Sequence, residues 1–153
     1  MTAAGEPPKR GRSRAVATWL ALLGGSLGLH RMYLYGARDV WAWLHALPAL
    51  VGAFGFWRLR EFGVDDARGS LLVLFLGTVI AVSMLQAIVY GLTSDEQWSL
   101  RHGATAAPRG PAWPTYVAVG LALAIGAAVA MATIAFAAQR YFESRAESRA
   151  DVR

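Results

Sequence analysis

Apolar residues fall in four long blocks separated by short polar segments, at residues 15–35, 40–57, 70–92 and 114–138. Inside each block they run almost continuously instead of recurring at every third or fourth position. That is the pattern of helices surrounded by lipid, not of helices with one wet face. The first block of 21 residues makes a helix roughly 31 Å long, matching a hydrocarbon core of about 30 Å. The third is 23 residues long and carries no formal charge. The expectation is an all-α membrane protein with four transmembrane helices, the first two forming a tight helical hairpin.

The intervening segments complete that plan. Residues 1–14 hold two prolines and four basic residues with little to bury, so a disordered basic arm is expected. A basic arm before an apolar run also fits a signal peptide, but three more apolar blocks follow where a soluble mature domain would begin. Residues 36–39 form a short turn, residues 58–69 a mixed-charge loop and residues 93–113 a longer loop with Gly103, Pro108, Gly110 and Pro111. The second block has Pro48 at its centre, a kink that neighbouring helices can absorb in lipid. Residues 139–153 alternate arginine with acid and read as a charged, solvated extension of the last helix.

Composition agrees with the pattern. The chain is 56% hydrophobic and 16% charged, against roughly 45–50% and about 25% in soluble domains. The net charge of +5 sits in short segments between apolar blocks, where it signals topology and contacts to anionic lipid instead of nucleic acid. With four spans, one side receives eleven lysines and arginines and the other four, which places both termini in the cytoplasm of a multi-pass protein, a bacterial inner membrane being the expected location.

The absence of cysteine excludes a disulfide framework, a thiol nucleophile and thiolate metal sites. No histidine pair has metal-ligand spacing, and neither a P-loop nor a nucleophile elbow occurs. No catalytic residue, cofactor or metal is therefore assigned.

Gly24 and Gly28 form a small-xxx-small pair, Ala21 and Gly25 a second, and Ala118, Ala122, Gly126 and Ala130 repeat the device in the fourth block. Such pairs let helices approach closely in lipid, within one bundle or between copies. His30-Arg31 is the most informative polar feature. Arg31 is expected near the outer interface, pairing with Asp39 across the turn as a structural clasp, in preference to a ligand site. His45 and Gln86 both fall in the outer half and form a candidate intramembrane polar pair, with Ser83 one turn below Gln86. A proton relay through His30 and His45 lacks an interior carboxylate.

The first two blocks and their turn resemble the TM-two domain family. Gly24/Gly25, Gly28, His30, Arg31, Tyr33 and Leu34 fit its glycine-rich turn, which here closes at Gly36; Gly52, Gly55, Trp57, Leu59 and Glu61 resemble its closing segment. Met32 stands in place of the expected Phe, Tyr35 displaces the glycine by one position, and Glu61 stands where an Asp is expected. The resemblance covers residues 12–66 and implies a small integral membrane protein with a helix–turn–helix hairpin. It implies no activity.

Two readings follow. One is a non-enzymatic structural or interaction protein whose partners are the lipid bilayer and a second copy or another membrane protein. The other is a small oligomeric transporter or channel using the polar residues of the outer half. A soluble nucleic-acid binder would require the four blocks to be an internal core, and is set aside.

Overall fold

A computed structural model describes residues 11–103 and 112–150; most of the basic arm, the prolines and Arg109 of the last loop, and Arg153 lie outside them. The described residues are almost wholly helical: α1 (Arg14–Gly24), a 3-10 turn (Gly25–Leu27), α2 (Leu29–Tyr35), α3 (Val40–Phe62), α4 (Ala67–Leu92), α5 (Asp95–His102) and α6 (Trp113–Ala150). Three of these, α3, α4 and α6, are long and apolar enough to cross a membrane. At 23, 26 and 38 residues they are roughly 34, 39 and 57 Å long.

The first apolar block departs from expectation. It is not one 21-residue helix but an 11-residue helix, a 3-10 turn and a 7-residue helix. The break is at Gly28, whose φ of 75° lies in the left-handed region that only glycine enters cheaply. A Cβ there would also collide with the Ala42 carbonyl of α3. Bilayer-matching length therefore gave way to backbone geometry, and α1 alone covers only about 16 Å.

Both arms of this broken segment return to the same end of the bundle. At its start, Arg14 contacts the Thr93 carbonyl that closes α4 and pairs with Asp95 at 3.2 Å. The Ser13 amide donates to the Tyr33 hydroxyl at 2.9 Å, joining the start of α1 to α2. At its tip, Gly25 lies against Ser83, well inside α4. Leu34 of α2 then packs back on Ala17 and on Trp98 of α5.

Around this loop, α3 and α6 each pack antiparallel on α4, and the approach is close because small residues line it. Gly52 and Gly55 of α3 rest on the backbone of Leu76, Leu72 and Val73. Ala118 and Ala122 of α6 are fully buried, and Gly126 meets Met84. The small-xxx-small pairs in these segments serve packing inside the bundle. α6 continues unbroken to Ala150, so α1 begins and α6 ends at opposite ends of the bundle. The expectation that both termini share one side finds no support in this arrangement, in which the chain turns back after α1.

Two loop assignments also change. The segment 58–69 shrinks to a four-residue corner at 63–66, since α3 runs past Trp57 to Phe62 and α4 starts at Ala67. Within 93–113 lies α5, capped by Ser94, whose hydroxyl accepts from the Gln97 amide at 3.3 Å. Asp95 and Glu96 in its first turn and Arg101 and His102 in its last suit the helix dipole.

Replacing Gly28 by alanine forces a left-handed Cβ costing about 1–2 kcal/mol before the collision with Ala42. The Gly28→Ala protein should therefore unfold at clearly lower temperature in detergent. Gly120→Ala, where a Cβ meets nothing within 4 Å, should be neutral or slightly stabilising.

Candidate functional site

Polar chemistry gathers near the tip of the α1–α2 loop. His30 is fully buried, its ring centroid 5.6 Å from that of His45 and 5.7 Å from that of Tyr90. Ser83 is also fully buried, its hydroxyl donating to the Val79 carbonyl at 2.8 Å. Gln86 Nε2 lies 3.2 Å from His45 Nε2. His45 Nδ1 sits 2.9 Å from the Trp41 carbonyl, which can only accept, so Nδ1 carries the proton. His45 Nε2 therefore accepts, and the Gln86 amide donates to it.

The expected pair His45–Gln86 is thus brought together, and His30 joins it. The sequence had already grouped His30 with His45 and Gln86 in the outer half, but along a straight first helix. The turn at Gly28 is what folds it inward. Neither ring nitrogen of His30 nor Gln86 Oε1 makes a protein hydrogen bond of good geometry, although all three atoms are buried.

Arg31 and Asp39 pair at 2.8 Å, the distance of a charge-assisted hydrogen bond. The two carry side-chain exposures of 23% and 12%, so the clasp is well shielded. Asp39 also caps α3, accepting from the Trp41 amide at 3.2 Å. Arg31 lies over the Tyr35 ring at 5.0 Å. Between them Gly36, with φ 92°, turns the chain.

The same corner recurs 27 residues further on, between α3 and α4. Arg58 grips Asp66 through two hydrogen bonds of 2.8 and 3.1 Å and lies over the Phe62 ring at 4.9 Å. Gly63 has φ 85°, and Asp66 caps α4 by accepting from the Gly69 amide at 3.0 Å. The motif is Gly-x-x-Gly-x-x-Arg-x-x-x-aromatic-Gly-x-x-Asp, beginning at Gly25 and at Gly52. Sequence reasoning missed Arg58 and Asp66; aligning the chain with itself at that offset would have found both.

Other singled-out residues are dispersed. Gly24 faces Leu29, into which a Cβ would press. Trp57 is exposed and tilted on Phe54, and Glu61 is exposed and stands outside the second corner. Asp66, not Glu61, is the acid that closes that corner. Over the loop sits α5, whose Trp98 donates to the Arg12 carbonyl at 2.7 Å and stacks on His102 with centroids 4.3 Å apart. Among the described residues no cluster of three or more His, Asp or Glu is placed to hold a metal ion.

No protein-family model, curated protein or solved structure matches this chain.

The Arg58 guanidinium, by hydrogen-bonding the carboxylate, holds Asp66 below the usual aspartate range. The unfolded chain takes up that proton first as pH falls, so the contribution of Asp66 is present above the ordinary carboxylate pKa and is lost in more acidic solution. Stability of the wild type in detergent should fall between pH 5 and pH 2. Asp66→Asn should be less stable than wild type at pH 7, with the gap closing toward pH 2.

Proposed function

We propose that this chain is a three-span integral membrane protein with a re-entrant helical loop, acting as a structural or interaction protein and not as an enzyme. The observation that carries the membrane reading is the outer surface of α3. Trp41, Trp43, Leu47, Leu50, Phe54 and Trp57 are each half or more exposed there, which an aqueous surroundings would penalise. In this reading α3, α4 and α6 cross the bilayer. The α1–α2 loop enters from the α5 side and returns, its irregular backbone buried in protein as lipid requires.

The interaction reading is favoured because the glycines and both Arg–Asp corners have packing roles, and because the turn motif resembles that of TM-two domain proteins. The partners implied are the bilayer and a further membrane helix, from a second copy or from another protein.

The re-entrant path redistributes the positive charges. Among the described residues, the segments adjoining the α5 end carry five arginines and those at the other end six, so positive charge no longer dictates an orientation. A bacterial inner membrane remains the proposed location, with the termini on opposite faces.

A transporter is favoured by one observation, the buried His30, His45 and Gln86. Against it, the bundle is closed toward the Arg58 end by Gly52 on Leu76, Gly55 on Leu72 and Gly77 on Thr133. Proteoliposomes of wild type and His45→Ala should show the same background flux of small ions.

Because the chain has no cysteine, single substitutions report topology cleanly. Ser13→Cys and Ser144→Cys should react with a membrane-impermeant maleimide from opposite faces of oriented vesicles. Labelling from one face would restore four spans, and release of the protein by alkaline carbonate would end the membrane reading.

A further inference from the structure

We propose that the tip of the re-entrant loop is a water-binding site, holding one water molecule among His30, Gln86 and Ser83 near the middle of the bundle and hydrated only from the α5 end. The inference rests on the membrane reading above.

The argument is a count of donors and acceptors. His45 is spent, Nδ1 on the Trp41 carbonyl and Nε2 on the Gln86 amide. Gln86 Oε1 is left as a buried acceptor with no protein partner. His30, with no exposed surface, contributes one N–H and one lone pair in its neutral form, and neither ring nitrogen has a protein partner. Ser83 has donated its proton to Val79, which leaves its oxygen able to accept. Buried polar atoms in this number are normally satisfied.

Gly25 packs directly on Ser83: a Cβ there would stand 2.7 Å from Ser83 Cβ, 3.1 Å from Ser83 Oγ and 3.6 Å from His30 Nδ1, so the missing side chain is what lets these groups lie together. Water can accept from the His30 N–H and donate to Gln86 Oε1 and to Ser83 Oγ, which uses both of its donors. A charged ligand is not served, because Arg31 and Asp39 are committed to each other at 2.8 Å.

Hydration is one-sided. Toward the α5 end lie Tyr90, the Tyr33 hydroxyl bonded to the Ser13 amide, and the Arg14–Asp95 pair. Toward the other end Gly52, Gly55 and Gly77 close on their neighbours, and Thr133 Oγ1 turns inward to its own Val129 carbonyl at 2.7 Å.

Water-edited solid-state NMR of the isotope-labelled full chain in lipid bilayers tests this. Water polarisation should reach the His30 ring nitrogens at mixing times that also reach Tyr33, while Thr133 and Leu76 stay dark. His45 should appear as the Nδ1–H tautomer. In His30→Phe the transfer to Ser83 should be lost, and in Gln86→Leu it should fall several-fold at His30. A dark His30 beside a lit Tyr33, or a His45 protonated at Nε2, would overturn the proposal. If His30→Phe does not reconstitute, the wild-type contrast between His30 and Thr133 decides alone. Water reaching Leu76 and Thr133 as readily as His30 would instead count against the membrane reading, so the two failures are distinguishable.

Discussion

An arginine joined to an aspartate eight residues later, across a left-handed glycine, sets both turns into and out of α3. Each part of the corner has a separate physical duty. Glycine lets the backbone reverse where a side chain would be strained. Aspartate satisfies amides at the start of the next helix, and arginine holds that aspartate while covering an aromatic ring of the preceding turn. The corner at Asp39 fixes where α3 begins, and so sets His45 opposite Gln86; the corner at Asp66 fixes how α4 returns along it.

The two halves of the repeat share residues but not conformation. Gly52 and Gly55 sit within a continuous helix, and their small size lets α4 come close. Gly25 and Gly28 occupy the same positions relative to their arginine, yet the chain breaks there. The difference lies in the neighbours: α1 is held at its start by Thr93, Asp95 and Tyr33, all at the end to which α2 must also return.

Much of the helical plan was legible because apolar blocks of bilayer length announce themselves. The Arg31–Asp39 clasp and the nearness of His45 to Gln86 followed from spacing along helices whose direction was right. The path of the first block was not legible: its length matched a span, and nothing local distinguishes a left-handed glycine from a helical one. His30 was grouped with His45 and Gln86, but along a straight helix in place of the turn at Gly28. The helix α5 had readable signals in Ser94, Asp95, Glu96 and Arg101, but the glycines and prolines that follow drew the whole segment into a loop. Arg58 and Asp66 looked like scattered loop charges until the corner was seen twice.

The proposed re-entrant topology also imposes an order of events during synthesis. The residues that hold α1 in place, Thr93, Asp95 and Trp98, are made about eighty positions after their partners. At roughly 5–20 residues per second, the ribosome takes several seconds to deliver them. Throughout that interval an apolar segment of full-span length has no site to occupy. Its final position must be acquired late, by retreat from or refusal of a crossing that its composition favours, so a topology sampled on a truncated nascent chain will differ from that of the finished protein.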